Sequence, residues 1–210
     1  MMVGSVKLAS AVTYLGVAAA VTGIGLAVHG RTHLALAMLV TAGIADLFDG
    51  PFARHLARRF GSTEQERAQG IAMDSLADTL SFLALPAAIL ASLDPPAWAY
   101  AVVAGYVLAG LTRLAAFDVE AYARLSTTDD AAPATHYRGL PTTYAALVLP
   151  VVGLGTALVA PAAVVWALLV GLGALGVAFV ANVPVRKPRG AWYAAFAILA
   201  VAVFTGLVII

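Results

Sequence analysis

The chain has 210 residues, of which 62% are hydrophobic and only 11% charged, with a formal net charge of +1. A soluble domain carries about 25% charged residues, so this composition cannot cover a water-facing surface, and the small net charge gives no electrostatic case for nucleic-acid binding. The absence of cysteine excludes thiol chemistry, disulfides and cysteine-ligated zinc or iron–sulfur centres.

A helix crossing the hydrocarbon needs roughly 20 apolar residues. Seven stretches qualify in chain order: Leu8–Val28, Leu34–Leu56, Gly70–Leu93, Ala97–Phe117, Leu140–Val159, Ala162–Val180 and Ala191–Ile210. The first is long enough to span and reads as a transmembrane helix rather than a cleaved signal peptide. His29-Gly30, Asp94-Pro95-Pro96, Ala160-Pro161 and Asn182-Val183-Pro184 supply turn chemistry between spans. The polar stretches 57–69 and 118–139 read as the two longest loops. The expected fold is all-α: one polytopic membrane domain over residues 1–210, with about seven spans.

Basic residues set the orientation. With the N-terminus in the cytoplasm, Lys7, Arg54, Arg58, Arg59, Arg67, Arg113, Arg124, Arg138, Arg186, Lys187 and Arg189 all fall on the cytoplasmic side. Only Arg31 of the twelve Lys and Arg residues lies outside. The C-terminus is then external. Trp98, Tyr100, Trp192 and Tyr193 sit at span ends and read as an interfacial aromatic belt.

Four aspartates stand out, because an ionised carboxylate near the bilayer is costly unless paired, hydrated or metal-bound. Asp46 and Asp49 lie three apart in the second span; Asp74 and Asp78 lie four apart in the third. Each pair shares a helix face, and the two spans run antiparallel, so all four are expected to converge just inside the cytoplasmic interface. Oxygen-only donors select hard cations, magnesium, manganese or calcium, and two such ions are expected. Gly50, Ala53 and Gly70 leave room for close ligand approach, and Arg54 offers a guanidinium to phosphate oxygens. A cation transporter is the rival from another class. It predicts carboxylates near mid-membrane and symmetry-related broken helices, and neither pattern is present.

The residues read D-x-x-D-G-x-x-A-R from Asp46 to Arg54 and G-x-x-x-D-x-x-x-D from Gly70 to Asp78. This resembles the signature of the CDP-alcohol phosphotransferase family at every position, with a longer gap (residues 55–69) between Arg54 and Gly70. Within the family the chain looks most like phosphatidylserine synthases. Met73-Asp74-Ser75-Leu76-Ala77-Asp78 with Ser81-Phe82, Gly139-Leu140-Pro141, and the basic segment Asn182–Pro188 all resemble their segments. Arg113–Asp118 departs, with Ala116 and Asp118 standing where an arginine and an asparagine are usual.

The resemblance implies transfer of a phosphatidyl group from CDP-diacylglycerol to an alcohol, with release of CMP. The acceptor implied is L-serine; inositol, glycerol phosphate or choline are the alternatives that Ala116 and Asp118 leave open. Asp46, Asp49 and Asp74 are then metal ligands, and Asp78 is the general base and a further ligand. Gly50, Ala53 and Gly70 contact nucleotide, and Arg54 binds phosphate. Arg113 and Arg138 are candidates for the acceptor or lipid phosphate. A homodimer is also implied by the resemblance. His136, in the loop before the fifth span, reads as an exposed histidine.

Overall fold

The computed structural model describes residues 10–61, 63–125, 136–182, 184–186 and 191–210, with segments 136–138, 184–186 and 191–195 described by backbone alone. Lys7, Lys187 and Arg189 lie outside the described residues, as do the side chains of His136, Tyr137, Arg138, Arg186, Trp192 and Tyr193.

The chain is a helical bundle. α1 (Ala11–Val28) and α2 (Thr32–Phe60) form an antiparallel pair. α3 (Glu64–Asp78) continues through a π-helical stretch, Thr79–Ala84, into α4 (Leu85–Ala91), giving one span. α5 (Ala99–Leu125), α6 (Ala145–Val159), α7 (Val164–Val180) and α8 (Ala191–Ile209) follow. Six of these spans are long and apolar enough to cross a bilayer among the described residues, and Phe196–Ile209 of α8 is a shorter apolar stretch. A 3₁₀ turn at Pro161–Ala163 separates α6 from α7, as the Ala160-Pro161 reversal predicts.

The polar stretch 57–69 is not the loop its composition suggests. α2 runs on to Phe60, where Arg58 and Arg59 complement the negative end of the helix dipole, and Gly61 at φ +74° ends it. Thr63 then opens α3 with a capping box. Its hydroxyl accepts from the Glu66 amide at 3.2 Å, while the Glu66 carboxylate accepts from the Thr63 amide at 2.9 Å. Glu64 and Glu66 favour the positive N-terminal end. The turn is therefore tight and both helices project beyond their apolar runs. α5 likewise extends to Leu125, past the expected end at Phe117.

This hairpin fixes the depth of the acidic residues. Asp49 precedes Phe60 by eleven residues and Asp74 follows Glu64 by ten. At 1.5 Å rise per residue both lie about 15–17 Å from the turn.

Pro86 follows the π-helical stretch and has no N–H to give the carbonyl of Phe82, four residues earlier. The Tyr106 hydroxyl of α5 donates to that carbonyl instead. Tyr106 and Phe82 are each 1% exposed, and Tyr106 packs on Phe179 of α7 with ring centroids 5.4 Å apart. One hydrogen bond thus satisfies a polar group in the apolar interior and ties the third span to α5. Elsewhere the core is close-packed aliphatic, centred on Leu36, Leu39, Leu83, Leu85, Leu168 and Leu172. At Gly43 a Cβ would sit only 2.5 Å from Cβ of Ala146, so α2 and α6 meet almost backbone to backbone.

Two three-residue strands, β1 (His136–Arg138) and β2 (Pro184–Arg186), pair antiparallel with Arg138 opposite Pro184. This ribbon was not expected from composition; it forms because the segments before α6 and after α7 emerge side by side. Gly139 follows at φ +80°, where a Cβ would lie 2.6 Å from the Phe179 carbonyl oxygen. The Leu140 amide then donates to the Ala178 carbonyl at 3.1 Å.

Candidate active site

The acidic residues of α2 and α3 do come together. Carboxylate oxygens of Asp46, Asp74 and Asp78 lie within 4.8 Å of one another. Asp49 borders the same small cavity of about 10 Å³, together with Thr13, Gly16, Ala42, Ala77, Ser81 and Phe82. Asp46 and Asp49 line this cavity from α2, and Asp74 and Asp78 line it from α3. Carboxylates so close, half-buried among apolar helices, stand together only with a cation or a retained proton between them.

The donor set fits a hard divalent cation. Oxygen ligands bind magnesium or calcium at about 2.0–2.6 Å, so two ligands on opposite sides of one ion stand about 4–5 Å apart. That matches the observed spread of the three carboxylates. The cavity they line, about 10 Å³, has the size of a single ion or water rather than of an organic group.

Hydroxyl groups from other helices hold the carboxylates in place, and here the structure adds residues that sequence reading missed. Thr13 of α1 donates to Asp49 Oδ2 at 3.3 Å. Thr142 is 3% exposed and donates to Asp78 Oδ2 at 3.2 Å. Ser75, beside Asp74, donates to Asp118 Oδ1 of α5 at 2.5 Å. Thr13 and Thr142 carried no local signal, because they act across 36 and 64 residues of sequence, whereas Ser75 and Asp118 were each noted in sequence but not as partners. Thr142 does directly follow Gly139-Leu140-Pro141, the segment singled out from sequence.

The remaining candidates divide. Gly50 lies under the Arg54 guanidinium: a Cβ there would be 3.3 Å from an Arg54 terminal nitrogen. Arg54 is exposed and lies outside the lining of the carboxylate cavity. Gly70 of α3 is exposed, with nothing within 4 Å of the position a Cβ would take, and Ala53 of α2 is half-buried. Arg113 is half-buried with its Nε near the Gly139 turn, 3.5 Å from the position of a Gly139 Cβ. It does not line the carboxylate cavity. Arg138 is placed by backbone alone, in β1 beside that turn.

Fold and site together define a multi-pass membrane protein with an acidic, cation-competent centre set between its second and third spans. No curated protein matches the chain. The family model for CDP-alcohol phosphatidyltransferase matches residues 6–173, and the chain belongs to that family. It is accordingly an enzyme of phosphatidyl transfer from CDP-alcohols, in a family that uses divalent cations.

Proposed function

We infer that the protein transfers the phosphatidyl group of CDP-diacylglycerol to the hydroxyl of L-serine, releasing CMP, at a site facing the cytoplasm. The observation that carries the chemistry is the convergence of Asp46, Asp74 and Asp78, with Asp49 on the same cavity. The serine assignment rests on the segments around Asp74–Asp78 and Gly139–Pro141. The cytoplasmic orientation rests on the distribution of Lys and Arg.

In this reading Asp46, Asp49, Asp74 and Asp78 would hold two divalent cations, magnesium or manganese, which would supply charge neutralisation for the diphosphate and the leaving CMP. Arg54, exposed beside Gly50, binds a phosphate oxygen. Asp78 takes the proton of the acceptor hydroxyl. Thr142 donates to its Oδ2 and so fixes the orientation of the carboxylate for that transfer. The acceptor oxygen forms a bond to the β-phosphorus as the bond between that phosphorus and the CMP oxygen breaks. Arg113 and Arg138 are assigned to the acceptor or to the lipid phosphate. The whole chain acts as one domain, and the active form is a homodimer.

A second reading keeps the chemistry and changes the acceptor, to inositol, glycerol phosphate or choline. Ala116 and the Ser75–Asp118 contact favour it. A carboxylate at position 118, next to Asp74, disfavours the anionic glycerol phosphate most.

The test is CMP release by purified protein with CDP-diacylglycerol and magnesium or manganese, each alcohol added singly, with Asp78→Asn as control. Serine-dependent release lost in Asp78→Asn supports the assignment. Release with another alcohol alone moves the protein to the second reading. No release with any acceptor refutes both.

A further inference from the structure

Beside the carboxylate centre lies a much larger cavity of about 250 Å³, walled by α2, α6 and α8. Its lining changes character along its length. Asp46, Thr143 and Tyr144 supply polar groups at one end, and the rest is hydrocarbon, including Gly43, Leu47, Ala197 and Ala200. Two features join it to the acidic centre. Asp46 lines both cavities. Thr142, which holds Asp78, is followed directly by Thr143 and Tyr144 on the same 3₁₀ turn. Phe196 of α8 closes that end by meeting Tyr144 edge-on, with centroids 6.3 Å apart.

The third wall comes from outside the family match, which ends at residue 173. α8 packs on α2 and α6; its Val203 and Leu207 are buried, and Leu154 of α6 fills the space over Gly206. Above that contact α8 presents Ala197 and Ala200 to the cavity, small residues that leave it open. A charged end continuous with a cation site, and an apolar channel leading away between membrane helices, match a molecule with an anionic head and a hydrocarbon tail.

We propose that the α2–α6–α8 cavity binds one acyl chain of the lipid donor, and that α8 sets which chains fit. The proposal rests on the phosphatidyl-transfer reading above and adds the tail site to it. Bulk lipid wets any apolar face, so selectivity for the donor is what separates a binding site from exposed surface. Filling the cavity from α8 must displace the tail before the head reaches the carboxylates, and a misplaced head is costly in rate.

The full-length protein in lipid nanodiscs is photolabelled with CDP-diacylglycerol carrying a diazirine in its tail, and the adducts are mapped by mass spectrometry. Adducts are expected at 196–201 and 40–47, suppressed by excess unlabelled CDP-diacylglycerol but not by equal phosphatidylcholine. In parallel, kcat/KM is compared for dioleoyl and dihexanoyl donors. Ala200→Phe is expected to lower the long-to-short ratio by roughly tenfold or more. Ile198→Phe, on the outward face of the same helix and 71% exposed, leaves the ratio unchanged. Adducts spread evenly over outward faces, or competed equally by phosphatidylcholine, overturn the proposal. So does an unmoved ratio in folded Ala200→Phe; if that variant does not fold, the labelling decides. Wild-type protein that releases no CMP from either donor sinks the phosphatidyl-transfer reading instead, and donor-selective labelling still judges the cavity.

Discussion

Neutralising one aspartate should move stability in opposite directions with and without cations. Oxygens of Asp46, Asp74 and Asp78 lie no more than 4.8 Å apart. At an effective dielectric of about 20, two unit charges at that distance repel by about 3 kcal/mol. Asp46→Asn removes two of the three contacts, up to about 6 kcal/mol before local hydration and relaxation reduce it. If a third survives, the chelated variant melts several degrees above chelated wild type, at about 2–4 °C per kcal/mol for a chain of this size. Wild type should recover on adding manganese, since a ligand at a hundred times its Kd adds about 2.7 kcal/mol. The variant, short of one ligand, should gain little. The assay is thermal unfolding in detergent with EDTA and across a manganese titration. An Asp46→Asn protein that melts below wild type in EDTA and keeps the full manganese gain would show that the cluster is neither strained by repulsion nor a cation site.

Three further outcomes follow from individual contacts. Thr142→Val should lower kcat roughly tenfold with little change in KM, because it frees Asp78 to turn from the acceptor, while Thr142→Ser keeps the hydroxyl and most of the rate; equal loss in both variants would point to packing. Tyr106→Phe should cost about 1 kcal/mol in thermal unfolding, by leaving the Phe82 carbonyl without its donor, and should not alter the manganese gain. Gly43→Ala should destabilise by about 1–3 kcal/mol by pushing α2 from α6, and Ala146→Gly in the same chain should restore most of it, since the two Cβ atoms would otherwise stand 2.5 Å apart; additive losses would refute the contact.

The spans and the four aspartates could be read from the chain because both signals are local: apolar runs bounded by turn residues, and acidic residues where none belong. The convergence of Asp46, Asp74 and Asp78 followed from antiparallel spans and helical spacing. The helix ends did not follow, because hydropathy stops where lipid stops, whereas α2 and α3 continue into water. The cap was nonetheless written in Thr63-x-x-Glu66, a pattern that outweighs polarity in deciding where a helix begins. Thr13 and Thr142, and the pairing of Ser75 with Asp118, were out of reach for a different reason. A hydroxyl that serves a carboxylate through tertiary packing looks, in sequence, like any other polar residue in a span. The β1–β2 ribbon depends in the same way on where α6 and α7 deliver their ends.

The π-helical stretch at Thr79–Ala84 begins immediately after Asp78. A wide turn of this kind carries an extra residue relative to the α-helix, and one residue is about 100° of rotation. It acts as a phase shifter within a single span. Ahead of it, Asp74 and Asp78 keep the facing demanded by the acidic centre; behind it, Leu85, Ile89 and Leu90 keep the facing demanded by the core. The two halves can therefore satisfy unrelated neighbours on one continuous helix. It follows that residue count between Asp78 and Leu85 matters more than residue identity. Deleting one residue there would let the stretch close to an ordinary α-helix with both halves still facing their partners, whereas inserting a further residue would turn the core half against its neighbours.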